Sequence, residues 1–217
     1  MSNVRLCFTG LLVVLTSVAR GAELDSAAFK RALADPNLQS ALISAARKSN
    51  VVIADECPNA YVKILDTVHV EAIPQFAADG RVVAGSWVHD IFYAGCHAAR
   101  TLHTLVEFVE GKKPSVSALF PGSTQAGPLL QRDVFNSAGF QTYLRKFQGS
   151  TCPKAYVDDT AFLDRETAVP PGARSAWREA WTISACGNRD VVILMYSPEP
   201  TGTKFRLFVR GDAQPTG

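Results

Sequence analysis

The sequence predicts an α+β protein of two tandem repeats, each an N-terminal helix packed on an antiparallel sheet of about four strands. Three observations predict it. Cys57-Pro58-Asn59-Ala60-Tyr61-Val62 recurs as Cys152-Pro153-Lys154-Ala155-Tyr156-Val157. In each copy a tryptophan stands nine residues ahead of a second cysteine, Trp87 before Cys96 and Trp177 before Cys186. In both copies the apolar residues run first at helical spacing and then, past the first cysteine, at a period of two. The repeats span 22–120 and 133–211 and are joined by a linker over 121–132.

Residues 1–21 read as a secretory signal. Arg5 supplies the positive end, and Leu6 to Val18 is an apolar core shorter than the roughly 20 residues that span a membrane. Ala19 and Gly21 suit cleavage before Ala22; Ser17 and Ala19 suit cleavage before Arg20. Cys7 lies inside the apolar core without a lipoprotein setting. The mature chain is expected to have no transmembrane segment, and the form of the signal, with no Asn-x-Ser/Thr sequon, points to a periplasmic or secreted protein.

The first repeat opens with helix. Asp25 or Ser26 can cap a turn that aligns Phe29 and Leu33, and Asp35-Pro36 restarts the helix as N-cap and first-turn proline. Leu38, Leu42, Ile43 and Ala46 form its apolar stripe, and Arg47-Lys48 suits its end. Val51-Val52-Ile53 reads as a short strand or a buried connection. Strands then follow over 61–70, 82–95, 101–109 and, more weakly, 116–120, with turns at Asp79-Gly80 and at Gly111 to Pro114. The second repeat places a helix over 133–147 with Phe140, Leu144 and Phe147 on one face. Strands over 155–163, 173–185, 191–196 and 204–210 follow, separated by turns at Pro170-Pro171-Gly172, at Cys186-Gly187-Asn188 and from Pro198 to Gly202. This helix-then-meander order is similar to that of cystatin-like folds at the level of architecture alone.

Four cysteines outside the signal allow three pairings. If the copies share a fold, each closes its own bridge: Cys57–Cys96 and Cys152–Cys186, spaced 39 and 34 residues apart. No close Cys/His grouping supports zinc instead.

The chain carries 22 basic and 20 acidic residues. Cleavage removes Arg5 and Arg20 and no acid, so the mature formal charge is zero, which argues against nucleic acid or anionic lipid as the main partner.

Alternation puts Trp87, His89, Ile91 and Tyr93 on one face of the long strand of repeat 1, and Trp177, Glu179, Trp181 and Ile183 on that of repeat 2. The polar residue two after each tryptophan needs a partner there. Trp87, His89, Tyr93, Trp177, Glu179 and Trp181 are therefore the candidate ligand-binding residues, as walls and floor of an aromatic recess. The opposite face is more apolar in repeat 1 (Val88, Asp90, Phe92) than in repeat 2 (Arg178, Ala180, Thr182), so repeat 1 is expected to cover it.

All four histidines, His69, His89, His97 and His103, fall in repeat 1. No metal site is assigned; the alternative is one holding His89 and His103 across a hairpin. No catalytic residue and no cofactor is assigned, since the nucleophile-elbow, zincin, P-loop and dinucleotide motifs are missing and bridged cysteines are not nucleophiles. Asp158-Asp159 and Asp164 read as solvated strand ends. The function expected is an exported two-repeat binding protein whose partner is a protein, glycan or small ligand of the cell envelope. The alternative is an exported metal-dependent or histidine-based hydrolase centred on repeat 1.

Overall fold

The computed structural model describes residues 26–57, 59–97, 99–166 and 175–209. The expected export signal, the 170–172 turn and the tail from 211 lie outside them. The described residues form two antiparallel four-strand sheets, each preceded by helices, so the α+β two-unit architecture stands. We call the two units lobe 1 and lobe 2.

Lobe 1 begins with α1 (Ser26–Leu33) and α2 (Pro36–Arg47). Asp35 caps α2 as expected: its side chain accepts from the Asn37 amide at 2.7 Å, and Pro36, which lacks an amide proton, occupies the first turn at no hydrogen-bonding cost. Val51-Val52-Ile53, read as a short strand or a buried connection, is not a strand but part of a short connecting helix, α3 (Asn50–Asp55), with Val51 buried and Ile53 exposed. Ser49 decides this, because its hydroxyl accepts from the Val52 amide and stops the chain from extending. The meander β1 (Tyr61–Phe76), β2 (Val82–Ala94), β3 (Ala99–Phe108) and β4 (Ser115–Ala118) follows in sheet order. β1 outruns its expected end at Val70 by passing through several register shifts, and its position at the sheet edge tolerates Pro74.

Lobe 2 repeats the plan with α4 (Pro128–Asn136), α5 (Ala138–Gln148), β5 (Ala155–Arg165), β6 (Trp177–Ala185), β7 (Asn188–Glu199) and β8 (Gly202–Phe208). The helix expected over 133–147 is two helices. α4 starts inside the segment read as linker, with Gly127 at its N-cap and Pro128 in its first turn. Ser137 separates the pair: its backbone is extended, and its hydroxyl donates to the Val134 carbonyl while accepting from the Phe140 amide. The β6–β7 hairpin turns on Cys186 and Gly187, whose φ values of 46° and 81° are those a two-residue hairpin requires.

One face of each sheet carries the core. In lobe 1, Leu42 and Ala46 of α2 lie on Trp87, Ile91, Tyr93, Leu102 and Val106, and Phe29 meets Trp87 edge-on at 5.1 Å. In lobe 2, Phe140 and Leu144 of α5 pack on Trp181, Ile183, Val192 and Leu194. Side chains of this kind contribute about 1.5–3 kcal/mol each on full burial. Each lobe closes its own disulfide, Cys57–Cys96 with Cα atoms 5.4 Å apart and Cys152–Cys186 at 5.7 Å.

The lobes are tied together. β5 carries a bulge at Asp158, between the pairs Val157–Ile183 and Asp159–Thr182. The extra residue lets Val157 enter the lobe 2 core while the Asp158 carboxylate turns to lobe 1. There Arg100 of β3 donates to its backbone carbonyl at 2.6 Å and to its carboxylate at 2.8 Å, and Arg189 of β7 reaches the other oxygen at 2.7 Å. Asp158 is therefore buried between two guanidinium groups, not a solvated strand end. Asp164 does face solvent, paired with Arg178.

Candidate functional site

The six aromatic and polar residues expected to bind ligand lie in the two cores. Trp87, His89, Tyr93, Trp177, Glu179 and Trp181 are all buried. In lobe 2 they satisfy one another. Glu179 Oε1 accepts from the Gln125 amide (2.7 Å), the Ala126 amide (3.2 Å) and Trp177 Nε1 (2.9 Å); Oε2 accepts from the Thr124 hydroxyl (2.7 Å) and Trp181 Nε1 (2.9 Å). Five donors saturate this carboxylate. The partner it needed comes from residues 124–126, a strap laid across the lobe ahead of α4.

Lobe 1 lacks such a strap among its described residues. Trp87 Nε1, both ring nitrogens of His89 and the Thr104 hydroxyl are buried without a hydrogen-bond partner among the described residues. Burial pushes the His89 imidazole below its ordinary value of 6.5, with the charge of Asp90 opposing the shift.

Tyr93 is committed elsewhere. Its hydroxyl donates to Asp55 Oδ2 at 2.5 Å, and Asp55 also accepts from the amides of Cys96 and His97 and pairs with His97 Nδ1 at 2.7 Å. The hydrogen bond from Tyr93 is the largest influence holding the Asp55 carboxyl below its ordinary value. Burial, with Asp55 adding to it, lifts the Tyr93 phenol to about 12. Gly95 makes the contact possible: a Cβ there would stand 1.6 Å from Asp55 Oδ2 and 2.3 Å from the Tyr93 hydroxyl.

The register separates the two histidines that a metal site would need together. His89 pairs with Thr104 on the core face of sheet 1, whereas His103 pairs with Asp90 on the opposite face. Among the described residues no group of three or more His, Cys, Asp or Glu side chains is arranged to hold a metal ion.

A cavity of about 660 Å³ lies within lobe 1, against Arg31, Asp79, Phe108 and Lys112. Further open space lies between the lobes. Two adjoining cavities of about 510 and 500 Å³ share Glu71, Leu119, Pro128 and Gln131. One wall is the outer face of sheet 1, with Ser86, Val88, His103, Leu105 and Glu107. The other wall is the strap over 122–127 and the exposed side of α4, with Leu129, Arg132, Phe135 and Asn136. Lobe 1 thus turns its more apolar outer face, with Val88 buried, toward elements of lobe 2.

The strap is held at every step. Thr160 donates to the Pro121 carbonyl at 2.6 Å, His103 Nε2 meets the Gly122 carbonyl at 2.7 Å, the Ser123 amide donates to the Thr160 carbonyl at 2.7 Å, and Glu179 takes the next three residues. Gln131 of α4 closes it by donating to the Ala126 carbonyl at 2.8 Å. Gly122 has φ of 102°, and a Cβ there would come within 2.0 Å of the Thr160 carbonyl, so only glycine lets the strap lie this close to β5.

The cleft residues Glu71, Glu107, Leu129 and Arg132 carried no signal in the sequence, because they converge only once α4 lies over sheet 1. The Gly127-Pro128 pair was the one available hint, as a helix start within an apparent linker. Among the described residues no helix is long and apolar enough to cross a membrane, and the two disulfides are compatible with an exported protein. Comparison with family models, with curated proteins and with solved structures finds no match for this chain.

Proposed function

We propose that the protein is an exported, non-catalytic binding protein that takes its ligand in the cleft between the two lobes. One observation carries this reading: the polar groups of lobe 2 that resembled a ligand site are saturated internally, whereas the cleft combines accessible space with a large apolar side chain left exposed on its wall. Leu129 is 60% exposed at its rim. Such a large apolar side chain on an open wall, flanked by Arg132 and opposed by Glu71 and Glu107, is the lining of a recognition surface.

The charge arrangement favours a polypeptide over the other envelope ligands. The lobe 1 wall presents carboxylates and the lobe 2 wall a guanidinium, with apolar Leu105, Leu129 and Phe135 between them. A peptide supplies a cation, an acceptor and an apolar side chain within a few residues; a neutral glycan supplies neither charge.

The test is NMR mapping on the mature protein with a panel of short peptides, each holding a basic and an apolar residue, and with neutral oligosaccharides. Peptides are expected to shift the signals of Leu129, Arg132 and Glu107. The paired substitutions Leu129→Glu and Arg132→Glu are expected to abolish binding while leaving the circular dichroism unchanged. Shifts confined to another face, or binding unaffected by the paired substitutions, would sink the proposal.

A further inference from the structure

His103 stands where the two lobes and the cleft meet, and both its ring nitrogens face acceptors. Nδ1 is 2.7 Å from Asp90 Oδ1 and Nε2 is 2.7 Å from the Gly122 carbonyl. A carbonyl oxygen only accepts, so Nε2 must carry a proton. The contact to Asp90 needs a second proton, held by the ring or by the carboxyl. A neutral imidazole beside an ionised carboxylate is one proton short and leaves one of the two contacts unmade. The His103–Asp90 pair therefore completes this geometry only with one proton more than those neutral and ionised forms provide.

Release of that proton falls on the strap. Asp90 and His103 are adjacent partners on paired strands and stay together whatever the strap does. The Gly122 carbonyl belongs to a segment with no strand of its own. That segment walls the 500 Å³ part of the cleft and continues into the residues that cap Glu179. Other ionisable groups stand around the pair. From β1, His69 Nε2 lies 3.7 Å from Asp90 Oδ2 and Glu71 shares the same cavity. From β5, Asp159 lies against Gly122. The residue after β4, Leu119, and the α4 residues Pro128 and Gln131 bring only neutral groups to this cavity.

We propose that His103 is a proton-operated latch on the inter-lobe cleft. Protonated, it ties the outer face of lobe 1 to the strap and holds the cleft in the form described above. When it loses the proton the Gly122 contact breaks and the strap loosens. The proposal adds regulation to the cleft proposed as the binding site, but its test needs no ligand, so each can fail without the other.

The test is NMR on the mature protein between about pH 5.5 and pH 8, the interval in which histidines change charge. Nitrogen shifts of His103 report its ring protons. Hydrogen exchange reports the Ser123, Gln125 and Ala126 amides, as protection factors normalised to the β6 core. At low pH the ring is expected to carry protons on both nitrogens. As the ring signals change with rising pH, protection of the three amides should fall by about tenfold per pH unit of linked titration. The fall should vanish in His103→Gln and persist in His69→Gln. Unchanged protection while the His103 ring titrates, or a ring singly protonated at the lowest pH, overturns the latch. If His103→Gln fails to fold, the wild-type titration decides alone.

Discussion

At the scale of single residues, Glu179 and His89 occupy equivalent places and meet opposite fates. Each follows a buried tryptophan by two positions on the central strand of its lobe, and alternation alone showed that each would be buried and would need a partner. Glu179 has five. Its isostere, Glu179→Gln, turns at least one of those meetings into donor facing donor, because an amide nitrogen cannot accept and Trp181 Nε1 can only donate. Breaking a fully buried, hydrogen-bonded carboxylate in this way should cost about 3 kcal/mol, read as a lower urea midpoint with the m-value unchanged. Loss of protection at the Gln125 and Ala126 amides should accompany it; a variant with wild-type stability would show that the strap does not depend on Glu179. The identity of the partner could not be read from the sequence. Thr124 and Gln125 look like linker residues, and nothing in their order says that they fold back over a tryptophan more than 50 positions later. Gly95 is a similar case: only the approach of Asp55 and of the Tyr93 hydroxyl shows why a methyl group is forbidden there.

At the scale of elements, the strands and most turns were legible because period-two burial and turn chemistry are local properties. The places that were not legible are those where one side chain overrides the pattern. Ser49 converts an apparent β-branched strand into α3, and Ser137 divides one expected helix into two. The bulge in β5 is of greater consequence. An unbroken strand would have sent Asp158 to the face opposite Val157 with every following residue in fixed alternation; the inserted residue instead buries both, Val157 within its own lobe and Asp158 against Arg100 of the other. The carboxylate is 6% exposed and bridges guanidinium groups from both lobes. Asp158→Asn keeps the shape and removes the charge, leaving Arg100 confined without a counter-ion. The expected loss is about 3 kcal/mol, at the lower end for a broken buried pair because Arg189 is largely solvated. Most of it should appear at the junction, so calorimetry is expected to resolve two transitions where the parent shows one. A single transition at the parent temperature would mean that the lobes are held together by other contacts.

At the scale of the whole molecule, the duplication was legible from a six-residue echo and the tryptophan-to-cysteine spacing. The private disulfides followed from it. What the duplication hides is that the lobes are not interchangeable. Lobe 1 has its outer face covered by the strap and α4, while lobe 2 has its core polar group sealed by that same strap. Both lobes nonetheless place tyrosines deep in their packing, and this makes the molecule alkali-sensitive as a unit. Tyr93, Tyr143 and Tyr196 are buried, and burial raises all three above the ordinary value of 10.0, with added contributions from Asp55, Asp190 and Glu179 respectively. An unfolded chain ionises these phenols near that ordinary value while the folded chain keeps them neutral. Stability is therefore complete below about pH 10 and falls as the pH rises toward the folded-state values. Each such tyrosine removes about 1.4 kcal/mol per pH unit, so the three together give a slope of about 4 kcal/mol per pH unit just above pH 10. Denaturant titrations at successive pH values measure that slope directly. Tyr196→Phe sharpens the experiment, because the Tyr196 hydroxyl is buried with no hydrogen-bond partner among the described residues, and its removal leaves none of them unsatisfied. That variant should match or exceed the parent at neutral pH and lose about a third of the alkaline slope. A parent protein whose stability stays flat to pH 11 would mean that these phenols reach solvent before the fold gives way.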